Sequence, residues 1–255
     1  MKNILVVGSI NADLVIQTPR MPQLGETIRG EGFGINPGGK GANQAAAIAK
    51  LGGCVQMVGC VGADANRNTV LHALSQYGVG TEGVTAVNAP TGVAVITVCG
   101  GDNCIILDAG ANDLVTRDAI DANRSLFQWA DFCVLQLEIP IESVVYAAQM
   151  AKQHGACVVL NPAPMCPLPQ ELTNLVDLFI PNKSEAELFL GRRIDTVADA
   201  KDALAEILTH GIKEVVITLG GDGCVYRDGA AVRHHEIVPS PVVDTTAAGD
   251  TFVGG

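Results

Sequence analysis

The residues best suited to chemistry lie near the end of the chain, in the run Asp244-Thr245-Thr246-Ala247-Ala248-Gly249-Asp250-Thr251-Phe252. Ala247, Ala248 and Gly249 are small and are predicted to open a helix with bare amide N–H groups, which can face the negative charge that develops on a transferred group. Asp250 follows them and could accept the proton of a hydroxyl. A first-turn Asp that only complements the helix dipole fits the same residues. The densest glycine cluster, Pro37-Gly38-Gly39-Lys40-Gly41-Ala42-Asn43-Gln44, offers amides a ligand can approach, a helix N-terminus, and donors on Lys40 and Asn43. A tight turn would use the same glycines. Gly34 to Gly39-Lys40 has the spacing of a Walker A loop, but Gly41 stands where a metal-binding hydroxyl is required and no strand is expected to feed the loop, so that motif is rejected.

Weaker candidates recur where strands should end. Asn11 and Asp13 follow the first apolar run, and carry donors and acceptors suited to vicinal sugar hydroxyls; an Asx turn would also use them. Glu138 follows a second run, either as a ligand or as an acid near a helix dipole. Asn182 and Glu185, three apart at a helix start, could organise phosphate and hydrated Mg²⁺, or simply cap the helix. Thr218, Gly220, Gly221 and Gly223 close a fourth strand with a glycine turn that opens space for a nucleotide or only leads into residues 224–227.

Other chemistries are poorly supplied. The five histidines form no H-E-x-x-H and share no pattern with the eight cysteines, which contain no C-x-x-C. There is no G-x-S-x-G and no dinucleotide fingerprint. A net charge of −11 without any basic run argues against nucleic acid. An anionic nucleotide must therefore be held by local devices. No apolar stretch reaches membrane-spanning length and no signal peptide opens the chain, so a cytoplasmic protein with reduced thiols is expected.

The elements that must position these residues are legible from periodicity. With 48% hydrophobic and only 4% aromatic residues, the 255-residue chain suits a core of Val, Ile, Leu and Ala in a sheet buried on both faces. Strands are expected at 4–7, 55–61, 132–137, 158–160, 178–180 and 215–219, and helices at 42–51, 66–76, 116–128, 141–154, 184–190 and 197–210. Between them, residues 11–37 break into short β-like pieces (14–17, 26–29, 33–35) separated by Pro and Gly, and 91–98 with 104–107 read as a hairpin expected to pair with them. The fold class is α/β: one doubly wound, mainly parallel sheet flanked by helices over 1–255, with a small β lid from about 11–37 and 91–107.

Together these segments resemble the ribokinase branch of the PfkB carbohydrate kinase family over essentially the whole chain, carried by Gly38–Gln44 and by Asp244–Asp250. Lys40 and Gln44 place it nearer that branch than fructokinase or nucleoside kinase relatives, which usually vary them. The resemblance implies ATP-dependent phosphorylation of D-ribose at O5, with related acceptors such as deoxyribose, a nucleoside or a hexose as alternatives, or a sugar-binding fragment without catalysis. It implies that Asn11, Asp13, Gly38, Gly39, Lys40, Gly41, Asn43 and Glu138 surround the sugar. Asn182, Thr218 and the turn at Gly220, Gly221 and Gly223 would meet ATP, and Glu185 would act indirectly on Mg²⁺. Ala247, Ala248 and Gly249 would form the anion hole, with Asp250 as base, and Asp244 and Thr246 would hold an activating K⁺. The lid would also form a homodimer contact. Relatives continue beyond this motif, so the end at Gly254-Gly255 is expected to be that of a fragment.

Overall fold

Unbroken runs such as Ile4-Leu5-Val6-Val7 and Cys133-Val134-Leu135 can be buried only if both faces of their sheet are covered. In the computed structural model, which describes residues 2–100, 102–238 and 246–255, that is how they are used. The chain enters through β1 (Asn3–Val7), leaves for β2 (Asn11–Gln17) and β3 (Glu31–Gly38), and returns through α1 (Lys40–Lys50), β4 (Cys54–Gly62), α2 (Ala65–Tyr77) and β5 (Gly80–Val87). A hairpin of β6 (Gly92–Cys99) and β7 (Asp102–Asp108) follows, then a 3₁₀ turn at Gly110–Leu114 and the short helices α3 (Arg117–Asp121) and α4 (Arg124–Trp129). Next come β8 (Phe132–Leu135), α5 (Ile141–Gln153), β9 (Cys157–Leu160), α6 (Gln170–Thr173), β10 (Leu178–Phe179), α7 (Lys183–Leu190), α8 (Val197–Leu208) and β11 (Glu214–Thr218). Strands β12 (Cys224–Asp228) and β13 (Ala231–His235) and helix α9 (Ala248–Gly254) complete the described chain.

The large sheet has the order β13-β12-β11-β10-β9-β8-β1-β4-β5 and is parallel from β5 to β11, with β12 and β13 antiparallel at one edge. Alternate residues of each strand enter different cores. Leu5, Leu135 and Leu160 pack with α3 to α8, while Val6, Val134 and Val159 pack with Ala45 and Ile48 of α1 and Leu74 of α2. Strands are added outward from β1 through β4 to β5, and from β8 through β9 and β10 to β11. The direction of winding therefore reverses between β1 and β8, the place where open α/β sheets form a crevice at the strands' carboxyl ends.

The small sheet has the order β3-β2-β6-β7. It contains the expected hairpin, but β2 lies parallel to β6, with Leu14 opposite Val95, so it is not a purely antiparallel excursion. Residues 26–29 form no strand, because the Glu26 carboxylate accepts from the Gln23 amide and pairs with Arg20, closing a turn. Residues 116–128 are not one helix. The Asn123 side chain donates to the Ala119 carbonyl at 2.8 Å, competing with the backbone amide that would continue α3. β5 and β13 were not expected, since each lies at a sheet edge with half-exposed polar residues and no apolar run. A strand does feed the glycine cluster: β3 ends at Gly38 and α1 begins at Lys40.

Leu135 is fully buried in β8, the strand that leads to Gln136 and Glu138. Leu135→Ala is expected to destabilise the chain by about 2–5 kcal/mol through lost transfer energy and a residual cavity. Urea unfolding should show this as a lower midpoint.

Candidate active site

At the winding reversal, α1 meets the end of β1. The Glu138 carboxylate accepts from the Ser9 hydroxyl at 2.6 Å and from the Lys40 amide at 3.0 Å. The Gly41 amide donates to Ser9 Oγ at 3.3 Å and the Ala42 amide to the Ser9 carbonyl at 3.0 Å. The first amides of α1, which a phosphate loop would leave open, are thus taken by the protein itself, and this excludes a Walker A site more firmly than the missing hydroxyl does. Close packing also explains the glycines. A β-carbon on Gly39 would lie 2.8 Å from the Asn11 amide nitrogen, and one on Gly41 would lie 2.7 Å from that of Ser9. One on Gly38 would overlap the Asp13 carboxylate. These glycines therefore admit the close approach of the Ser9–Asp13 segment.

Asp250 comes to the same place from the other end of the chain. Its carboxylate, 7% exposed, accepts from Asn43 Nδ2 at 3.2 Å on one oxygen and from Gln44 Nε2 at 2.9 Å on the other. A small residue makes this possible, because Gly254 packs against Ala47 so closely that a β-carbon there would lie 2.6 Å from the Ala47 β-carbon. Lys40 and Asp250 line one cavity of about 200 Å³ with Asn182, Glu185 and Thr218.

Asn11 and Asp13 project from β2 toward this centre. Asn112 fixes Asn11: its Oδ1 accepts from the Ile10 amide at 2.9 Å and its Nδ2 donates to Asn11 Oδ1 at 2.7 Å. Asn11, Asn112 and Glu138 line a second cavity of about 230 Å³, closed on the small-sheet side by Leu107 and Asp108. Burial, then the charges of Glu138 and Asp250, push the Asp13 carboxyl up to about 6.

On the far side, Asn182 and Glu185 form a capping box. The Glu185 amide donates to Asn182 Oδ1, and the Glu185 carboxylate accepts from the Asn182 amide, both at 2.8 Å. Burial raises the Glu185 pKa, against lowering by the Asn182 amide and the Lys40 charge. Thr218, Gly220 and Gly223 line a third cavity of about 330 Å³ that shares Ala248 and Gly249 with Phe252 at its rim. Gly220 and Gly221 face open space, whereas Gly223 turns at φ +82° against the His235 carbonyl. Ala247 adopts the left-handed conformation, φ +56°, at the head of α9. Such a residue costs about 1–2 kcal/mol, and no side chain caps the helix. No side chain of the described residues is bonded to the amides of Ala248, Gly249 and Asp250, unlike those at the start of α1. Thr246 precedes them, and Asp244 lies outside the described residues.

Sequence reasoning left Ser9 and Gln44 without roles and did not single out Asn112, Gln136 or Asn161, all of which join the network. Asn161 had a usable signal, since it follows β9 at the sheet edge that drew attention to Glu138 and Asn182. Gln136 had the same signal, since it follows β8; Asn112 had none, because its importance depends on partners remote in sequence. Metal ligation is thinly supplied: no group of three or more His, Cys, Asp or Glu that could hold a metal occurs among the described residues.

The profile of the family described as "pfkB family carbohydrate kinase" matches residues 1–255. The chain is 40% identical to a ribokinase of Haemophilus influenzae, covering 100% of this chain and 84% of that protein. It is 35% identical to a deoxyribokinase of Salmonella typhi, covering 99% and 83%. The structure of Arabidopsis thaliana ribokinase complexed with ribose and ATP superposes with a TM-score of 0.90 at 35% identity, covering 99% of this chain and 84% of that one.

Two outcomes test the geometry. Folding raises the Asp13 pKa from 3.8 to about 6, so the folded chain binds the extra proton in that window and stability falls as pH rises through it. Asp13→Asn should therefore match the unmutated chain at roughly pH 4 and be the more stable at roughly pH 7, read from thermal unfolding at both. Gly39→Ala should be destabilised by more than about 1 kcal/mol, since both its positive φ and its contact with the Asn11 backbone oppose a side chain; denaturant titration measures this.

Proposed function

The chain belongs to the pfkB family of carbohydrate kinases, and from that premise we propose that it transfers the γ-phosphoryl group of ATP to O5 of D-ribose, with Asp250 as base. One observation carries the reading: the anchored Asp250 carboxylate lines a cavity with Lys40 and Glu185 that shares Thr218, Ala248 and Gly249 with the larger cavity at the Gly220 turn, and its charge, with that of Glu138, acts on Asp13. That Arabidopsis thaliana ribokinase is complexed with ribose and ATP supports a sugar in the cavity edged by Asn11 and Glu138 and a nucleotide in the cavity at the Gly220 turn.

The sugar hydroxyls are held by Asn11, Asp13, Lys40, Asn43 and Glu138. Gly38, Gly39 and Gly41 act by letting β2 and α1 close on each other. Asn112 takes the Asn11 carbonyl, so the Asn11 NH₂ is left to donate to a hydroxyl, while Asp13 and Glu138 accept. Asp250 takes the O5 proton as that oxygen attacks the γ-phosphorus and the bond to ADP breaks. The transition state is loose, so positioning and charge stabilisation carry most of the catalysis. The amides of Ala248, Gly249 and Asp250 receive the charge on the transferred group, and Lys40 lies beside them. Asn182 and the turn through Gly220, Gly221 and Gly223 bound the nucleotide.

The donor set fits a metal that arrives on the triphosphate, with Glu185 reaching it through water, because no protein cage is present among the described residues. Glu185 would hold magnesium there, and the ion would supply charge neutralisation on the phosphates. Thr246, with Asp244, is proposed to hold K⁺ at the entrance to α9. The small sheet acts as a lid that excludes water when the sugar is bound.

The outer face of that sheet also supports a homodimer. Ile35, Leu14, Val95 and Ile106 are successive partners across its four strands and so form one apolar row. Ile35, Val95 and Ile106 are exposed, and the same row on a second copy would cover them. Eight free thiols fit a cytoplasmic protein, and no helix among the described residues is long and apolar enough to cross a membrane.

Asp250→Asn should lower kcat by about 10²- to 10⁴-fold while ribose affinity, measured by calorimetry, changes much less; near-normal ADP release in a coupled assay would refute the base assignment. A panel with ribose and 2-deoxyribose separates the two acceptors that the relatives present, ribose being expected to give the higher kcat/KM. Ile106→Glu should shift the chain from dimer to monomer in sedimentation, and an unchanged dimer removes the small sheet as the interface.

A further inference from the structure

Behind Asp250 lies a chain of buried amides that the reaction as described does not use. Gln44 and Gln136 are fully buried and Asn161 nearly so. Asn161 Nδ2 donates to the Ile180 carbonyl at 2.8 Å, which turns Asn161 Oδ1 toward Gln44. Gln44 Nε2 donates to that oxygen at 3.1 Å and to Asp250 Oδ1 at 2.9 Å. Both acceptors demand the NH₂ end of Gln44, so its carbonyl must point away from them. There it meets Gln136 Nε2 at 2.6 Å.

Gln136 has its other end in an unfavourable place. Its Oε1 is buried without a hydrogen-bond partner, in space that a β-carbon on Gly8 would occupy. A buried carbonyl without a partner is destabilising. Leu or Met would fill that space without this penalty, but neither could donate to Gln44. The benefit of a glutamine here therefore lies at its NH₂ end.

Resting on the reading of Asp250 as base, we propose that Gln136 is a positioning residue for phosphoryl transfer, acting through Gln44 to hold the Asp250 carboxylate in line with the attacking hydroxyl. Without the Gln136 donor, the buried Gln44 carbonyl loses that partner, and Gln44 is held from its NH₂ end alone. Its amide plane is then free to tilt, and the hydrogen it gives to Asp250 Oδ1 no longer fixes the angle of the carboxylate. Substrate contacts from Asn11, Asp13 and Glu138 are not part of this chain and should survive.

Gln136→Met keeps the length and removes the donor. It should lower kcat by about ten- to a hundredfold, the scale of a misplaced reacting group, with the KM for ribose within about twofold. Gln44→Met should lose at least as much. The double variant Gln44→Met/Gln136→Met should be no worse than Gln44→Met alone, because Gln136 acts only through Gln44. Gln136→Glu keeps the volume but replaces the donor with an acceptor, and should lose at least as much kcat as Gln136→Met; it serves as the kinetic test should the methionine variant not fold.

A second readout needs no turnover. The Gln44 side-chain NH₂ signal in ¹⁵N–¹H spectra, assigned by its loss in Gln44→Met, should exchange with solvent about tenfold faster in Gln136→Met. Unchanged exchange overturns the proposal. So does a full kcat loss from Gln136→Met in the Gln44→Met background, or a raised KM with kcat intact. If the unmutated chain fails to phosphorylate ribose, the kinase reading fails, while the exchange measurement still decides whether Gln136 holds Gln44.

Discussion

A carboxylate that is almost buried must be met by donors, and the contact of Asp250 with α1 is where this structure meets that demand. Asn43 and Gln44 each give one amide hydrogen to one carboxylate oxygen. Since both donors sit within the first five residues of α1, the position of Asp250 is fixed by whatever fixes the start of that helix. Ser9 and Glu138 do so, by taking the amides of Lys40, Gly41 and Ala42. Residues at the start, middle and end of the chain thus form one connected unit, and the winding reversal between β1 and β8 is what brings them together.

The two helix starts at this centre are used in opposite ways. That of α1 is saturated by protein groups, and its positive end serves to hold Glu138. That of α9 is left without a side-chain cap, behind a left-handed Ala247. A chain with a net charge of −11 cannot attract a polyanion through its overall field. On the proposed reading it relies on the second helix start and on Lys40, while the acidic groups nearby are directed at hydroxyls. Crowding among those acids is visible in Asp13, whose carboxyl is pushed up by burial and by two neighbouring carboxylates.

Much of the fold was legible because apolar runs and glycine stops carry it. The strands at β1, β4, β8, β9, β10 and β11 and the helices at α1, α2, α5, α7 and α8 lie where periodicity puts them. Edge strands β5 and β13 carried no such pattern, and the break between α3 and α4 depends on one Asn side chain bonding backward. In the site, residues next to glycine clusters or strand ends were found, since those are local signals. Asn112 was invisible, because a buried amide in one segment has meaning only beside its partner in another, and the contact of Gln136 with Gln44 was hidden for the same reason. The glycines of the cluster also serve an end that no local signal carried: they admit a neighbouring segment of the chain.

That crossing of Gly39 and Gly41 over the Ser9–Asn11 segment has an evolutionary corollary. Gly39 and Gly41 tolerate no side chain at the point of contact, so this part of the crevice is closed to gradual change by sequence drift. Leu107 and Asp108, on the hairpin wall of the same crevice, belong to an exposed strand and are under no such restriction. Descendants of this chain that acquire a taste for a different polyol would be expected to diverge at that wall while leaving the crossing untouched.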